Sequence, residues 1–398
     1  MTMPYMAWPQ EEAGTWNYSY QVTRMIGMAD FGATDFTEIH EAVQRISYDD
    51  QASWYTEWHV LGELAEKQAR EAEAHGNPLN ARFGYLRASN YYRASQFYLG
   101  AGDAEKIPAL RRSEDLFWEA NRYFEHRCEP VEIPYQGKTL PGYFLPSVWG
   151  EGPRPVIFFL CGMDALPEEM YSWACEPAAM AGYHAFILRQ PGTGLTLFET
   201  GLPARYDSEA WVRLGVDYLL TRPEVDPNRI ILNGGSFSGY LAPRAAAFEP
   251  RIAALTLWGV GYDMTPTSEY TRRSWTPDIT WTHGESTFGY QNMTPEEIAA
   301  DEAKWTLEGL LHQITCPVFC IVPVLDFVER AISQAVRFME EVGSAEKKLV
   351  VIERGEGLGG VLHCNLDNLH VLHAPTFNWL NDVLDYRPGF NVGRSPTV

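Results

Sequence analysis

Apolar positions along the chain change period near residue 128. From about Phe36 to Phe124 they recur at helical spacing: Trp54, Trp58, Leu61, Leu64 and Ala65 mark one face, while Glu and Lys fill much of the rest. Breaks fall at His75-Gly76-Asn77-Pro78 and Gly100-Ala101-Gly102-Asp103. The pattern predicts a run of amphipathic helices. After Cys128 the runs are short and β-like. Val131 to Tyr135 and Leu140 to Pro146 flank Gln136-Gly137-Lys138, a hairpin signal. Near-continuous apolar runs follow at Val156 to Cys161, His184 to Arg189, Arg229 to Asn233, Ile252 to Trp258, Val318 to Val324 and Lys348 to Glu353. Several are separated by helical stretches, so the expectation is a mostly parallel sheet with helices on both faces. Two domains are expected: a helical one over 1–127, lying as a cap over the carboxyl ends of the strands, and a catalytic one over 128–398.

Composition narrows the function classes. With 52 acidic residues against 31 Lys and Arg, the formal charge of -21 disfavours nucleic acid and anionic membrane surfaces. The start has no basic segment leading into an apolar run, and no stretch is long and apolar enough to span a bilayer, so a soluble, cytoplasmic protein acting on a small molecule is expected. Cys128, Cys161, Cys175, Cys316, Cys320 and Cys364 are scattered and read as buried thiols rather than a disulfide framework.

The strand Arg229 to Asn233 runs into Gly234-Gly235-Ser236-Phe237-Ser238-Gly239-Tyr240 and then a helical stretch. A serine on a sharp strand-to-helix turn is a nucleophile elbow, commonly G-x-S-x-G, whose small neighbours allow the strained turn. Ser236 as nucleophile breaks that pattern once, at Ser238. Taking Ser238 instead breaks it twice. The order nucleophile, acid, histidine then points to Asp326, where the strand Val318 to Val324 hands over to a loop, with Glu329 as a weaker alternative. His363 follows the last strand across a glycine-rich loop. His283, His370 and His373 compete less well on order and position. In this scheme His363 removes the serine proton and Asp326 fixes its tautomer. Backbone N–H groups of Phe237 and Met163 are the expected oxyanion donors. Gly355-x-Gly357-x-x-Gly360 matches a dinucleotide fingerprint only formally, since no helix or βαβ unit follows. His370-x-x-His373 lacks the partners of a metal site. No cofactor and no metal are expected.

Tyr85-Leu86-Arg87-Ala88-Ser89-Asn90-Tyr91-Tyr92-Arg93, Gly162-Met163-Asp164 with Glu168-Glu169, Gln190-Pro191-Gly192-Thr193-Gly194, the serine turn and Cys316-Pro317 together resemble one branch of the α/β hydrolases. That branch carries an N-terminal helical domain and includes 2,6-dihydroxypseudooxynicotine hydrolase and the fungal yellowish-green-type hydrolases that shorten polyketide chains. The resemblance runs from about Phe36 to Leu384. It implies hydrolysis of a C–C bond beside a ketone in the retro-Claisen manner, or of an ester, an auxiliary acid at Asp164, and a homodimer. Ser238, the strand end Val322-Pro323-Val324-Leu325-Asp326 and the long histidine loop depart from the family pattern. An acyltransferase, cyclase or dehydratase on the same fold, and a non-catalytic binding protein, remain alternatives at this point.

Overall fold

The computed structural model describes residues 16–47, 50–149, 152–264, 285–326, 331–353 and 357–389. Five helices lead: α1 (Trp16–Gly27), α2 (Phe36–Val43), α3 (Gln51–Ala74), α4 (Pro78–Ser95) and α5 (Lys106–Asn121). The breaks have clear causes. Asp35, Asp50 and Asn77 each turn a side-chain oxygen onto the first free N–H groups of the helix that follows, and Pro78 opens α4 with its φ already helical. Trp54, Trp58, Leu61 and Ala65 of α3 are buried as their spacing requires. Leu64 is not: it is 53% exposed, one step off the buried stripe.

Eight strands follow: β1 (Glu129–Tyr135), β2 (Lys138–Leu145), β3 (Arg154–Leu160), β4 (His184–Leu188), β5 (Val225–Gly235), β6 (Ile252–Trp258), β7 (Val318–Pro323) and β8 (Lys347–Ile352). They form one sheet in the order β1-β2-β4-β3-β5-β6-β7-β8. The β1–β2 hairpin and the β2–β4 pair are antiparallel; every pairing from β4 through β8 is parallel. Between the strands lie α6 (Pro167–Met170), a wide turn at Tyr171–Cys175, α7 (Glu176–Met180), α8 (Gly194–Phe198), α9 (Glu209–Leu219), α10 (Ser238–Phe248), α11 (Pro295–Glu302) and α12 (Ala331–Glu341), and α13 (Leu369–Val383) follows β8.

Strands β3, β4, β6 and β7 are apolar almost throughout because both of their faces are covered, whereas β1 alternates exposed and buried residues. Val156, Phe158 and Leu160 of β3 join the core under α9 and α10, whereas Ile157 and Phe159 join the core containing α13 and the N-terminal helices. Helices α1, α3, α4 and α5 therefore share one continuous core with a sheet face.

Their polar contacts collect at the carboxyl ends of the strands. Arg24 of α1 reaches Asp164 after β3, Glu114 of α5 reaches Arg189 after β4, and Tyr20 of α1 reaches the backbone of His363 after β8. The six cysteines are free, and all except the half-buried Cys316 are fully buried.

Candidate active site

Ser236 stands where β5 ends and α10 begins, with φ of 56°, a left-handed conformation that costs an L-residue about 1 kcal/mol or more. Packing holds it there. The Ser236 N–H donates to the Trp258 carbonyl at 3.3 Å, and the Ser236 carbonyl accepts from Gly239 N–H at 2.8 Å. Gly234 is required because a Cβ there would lie 2.1 Å from the Ser238 carbonyl oxygen.

The two serines of the turn have different environments. Ser236 is half-buried, while Ser238 is fully buried at the start of α10 with its hydroxyl donating to the Cys161 carbonyl. That carbonyl also accepts from Gln190 Nε2 at 2.9 Å, and Gln190 Oε1 accepts from Cys161 N–H at 2.9 Å. The Cys161 peptide is thus pinned on both sides. Because Met163 lies two residues on, Ser238 and Gln190 fix the loop expected to supply an oxyanion donor. Gly162 brings this loop against the serine turn: a Cβ on it would sit 3.4 Å from Ser236 Cβ. Phe237, the other expected donor, is buried immediately after the serine. Ser238→Ala should cost about 1 kcal/mol in thermal or urea unfolding and lower turnover less than about tenfold. A loss as deep as that of Ser236→Ala would move the nucleophile to Ser238.

Asp326 and His363 are joined across two loops. Leu325 and Leu362 form a parallel bridge, with Leu325 N–H donating to the Val361 carbonyl at 3.0 Å. The Asp367 carboxylate accepts from the N–H groups of Gly360, Val361 and Leu362 at 2.8, 3.0 and 3.0 Å. So held, His363 Nδ1 lies 2.7 Å from Asp326 Oδ1, both side chains nearly fully buried. Donation from Nδ1 to the carboxylate leaves Nε2 as the basic ring nitrogen. Burial pushes the imidazolium pKa down, but the Asp326 carboxylate and the adjacent Cys364 sulfur outweigh it and hold the ring well above the usual histidine value. Cys364 ties this loop to the serine turn. Its Sγ donates at 3.4 Å to the Trp258 carbonyl that also receives Ser236 N–H.

Asp164 is partly exposed and ion-paired with Arg24 Nη1 at 3.0 Å. Arg24 also grips Glu169 through Nε and Nη2 at 2.6 and 2.7 Å, both partners buried. Tyr20, one helical turn before Arg24, donates its hydroxyl to the His363 carbonyl at 3.2 Å. Sequence reasoning missed Tyr20 and Arg24 because it began the helical region at Phe36. Their i, i+4 spacing within Trp16–Gly27 is the signal that marks one face.

The competing residues fall elsewhere or outside the description. His373 is buried with Nε2 on the Trp173 carbonyl at 2.7 Å, and burial lowers its pKa to about 4. His370 is exposed and 3.4 Å from Asp30. His283, Glu329 and Gly355 lie outside the described residues. Gly357 and Gly360 have positive φ and lead into the bridge at Leu362, not into a helix that could hold a pyrophosphate. Among the described residues, no group of three or more His, Cys, Asp or Glu is arranged to hold a metal ion, and no helix is long and apolar enough to cross a membrane.

The strand order and the serine turn after β5 are those of an α/β hydrolase. Residues 21–322 match the FrsA-like esterases, and the chain belongs to that family of hydrolases. It is 33% identical over 346 residues to the α/β hydrolase xenA of Xenoacremonium sinensis, covering 77% of this chain and 81% of that one. It is 29% identical to the 20-hydroxy-prefusarin hydrolase of Gibberella moniliformis, covering 92% of this chain and 96% of the relative. The crystal structure of 2,6-dihydroxy-pseudo-oxynicotine hydrolase shares the fold, with a TM-score of 0.75 at 22% identity over 90% of this chain and 95% of that one.

Proposed function

We propose that the chain is a serine hydrolase that cleaves a C–C bond next to a carbonyl in a polyketide-like small molecule, with Ser236 as nucleophile, His363 as base and Asp326 as its orienting acid. The observation that carries this reading is a single junction. Ser236 N–H and Cys364 Sγ meet on the Trp258 carbonyl, while the neighbouring His363 holds Asp326 at 2.7 Å.

In this mechanism Ser236 Oγ adds to the ketone carbon as His363 Nε2 takes its proton. The carbonyl oxygen becomes an oxyanion facing the N–H groups of Met163 and Phe237. Collapse breaks the C–C bond, and the departing electron pair spreads onto a second carbonyl as an enolate. The imidazolium returns its proton to that fragment. Water, deprotonated by His363, then adds to the acyl-serine and releases the acid, regenerating Ser236.

The C–C reading over ester cleavage draws on the resemblance to the polyketide-shortening hydrolases and on Asp164, ion-paired with Arg24 just past the loop proposed to supply an oxyanion donor, as the auxiliary acid. Turnover of an aryl 1,3-diketone in H₂¹⁸O tests it. Label from water should appear in the carboxylate product. An unlabelled product would assign the acyl group to another acceptor and make the protein an acyltransferase or cyclase.

A further inference from the structure

Retro-Claisen cleavage creates two negative oxygens in turn. The first, on the tetrahedral carbon, faces the backbone N–H pair assigned above. The second is the enolate oxygen of the departing fragment, and it too needs donors in a water-poor site.

Two buried donors belong to the cluster around Arg24 and Glu169, which reaches the Ser236 turn through Asp164 and Gly162. Gly162 abuts Ser236, Asp164 follows it, Arg24 Nη1 binds Asp164, and the same Nη1 donates to Gln21 Oε1 at 3.4 Å. Gln21 is 2% exposed, and its Nε2 has no hydrogen-bond partner among the described residues. Arg93 of α4 is also 2% exposed. Its Nε donates to Asn90 Oδ1 at 2.7 Å and its Nη2 to Met25 Sδ at 2.9 Å, but its Nη1 likewise lacks a partner. Buried donors of this kind are few in native proteins, and each calls for an acceptor.

The charges in the cluster point the same way. Glu169 is gripped by both ends of the Arg24 fork, whereas Arg93 approaches it only to 3.7 Å. Burial pulls the Arg93 guanidinium down to about 10, with Glu169 offsetting only part of that cost. Arg93 is a buried cation whose nearest carboxylate is already committed to another arginine. An anionic oxygen beside Nη1 would complete it.

We propose that Gln21 Nε2 and Arg93 Nη1 form a second oxyanion subsite, on α1 and α4, that receives the enolate oxygen of a 1,3-dicarbonyl substrate as its C–C bond breaks. This subsite rests on the C–C reading above and deepens it. It assigns the N-terminal helices a chemical part in the reaction, with the nucleophile on the sheet and the leaving-group donors on the helical layer. It also gives the buried Arg24 a positioning task, since its Nη1 orients the Gln21 amide so that Nε2, not Oε1, is presented.

Calorimetric titration with dimedone, a cyclic 1,3-diketone ionised at neutral pH, against 3,3-dimethylcyclohexanone, the same ring with one carbonyl, reads the subsite without serine chemistry. Wild-type protein should bind dimedone about tenfold or more tightly. Gln21→Leu and Arg93→Met should each narrow that preference severalfold, and Ser236→Ala should keep it. If Arg93→Met does not fold, Gln21→Leu, which leaves every charge in place, decides the matter. Equal affinity for the two ketones, no binding of either, or a preference undiminished in folded Gln21→Leu would overturn the subsite. Absence of a fluorophosphonate adduct at Ser236 would overturn the serine reading and leave the calorimetric result standing.

Discussion

Ser236→Ala should lower kcat by at least about 10⁴-fold on any substrate the enzyme turns over, with the unfolding midpoint nearly unchanged. The depth follows from the loss of a covalent step: with no Oγ to carry the acyl group, His363 and the oxyanion donors can assist only direct attack by water, from a position built for serine. The unchanged midpoint follows from what holds the turn. The contacts at Ser236 that fix φ at 56° run through its N–H and its carbonyl, and alanine keeps both. Stopped-flow or discontinuous product assays paired with thermal melts separate the two quantities. Retention of more than about a hundredth of wild-type turnover would remove Ser236 from the mechanism.

Asp326→Asn should cost about 10³- to 10⁴-fold in kcat and also shift the pH profile, and the two effects have separate origins. An amide can donate to Nδ1, which favours the tautomer with its proton on Nε2, where it cannot accept from serine. The shift is electrostatic. The proposed mechanism needs neutral His363, and its pKa is held above 6.5 against the pull of burial mainly by the Asp326 carboxylate. Wild-type kcat/KM should therefore rise with pH through an inflection above 6.5. Without the carboxylate, burial dominates, and the residual activity of Asp326→Asn should inflect at lower pH. An inflection unmoved, or moved upward, would mean that another group sets the acid limb.

The sheet was legible because strands such as β3, β4, β6 and β7 are covered on both faces and read as apolar runs, while β1 carries the alternation of a half-exposed hairpin strand. Every one of the eight runs seen in the sequence became a strand, with ends shifted by up to four residues, as at β5, which begins at Val225 rather than Arg229. The serine turn was legible for a different reason: Gly234 and the strand-to-helix change of period leave few alternatives to a sharp elbow.

The contacts that organise the site were less visible. The departure at Ser238 reads from sequence as a defect in a motif, yet its hydroxyl fastens the Cys161 carbonyl, just past the end of β3 and far away in the chain. No local pattern reports that bond. Nor does local pattern reveal that Arg24 would be buried against Glu169, since an arginine in a surface helix and one in a buried ion pair look alike until the partner element is known. Leu64 shows the converse: its spacing fits the buried stripe, but the stripe is one residue narrower than the pattern allows.

The fate of a fluorophosphonate tests the central claim most directly. Trypsin should release the segment 230–244, bounded by Arg229 and Arg244, which contains both Ser236 and Ser238. Fragmentation of the labelled peptide by tandem mass spectrometry should place the adduct on Ser236 alone, with labelling abolished in His363→Ala. An adduct on Ser238, or no adduct on folded wild-type protein, would contradict the account.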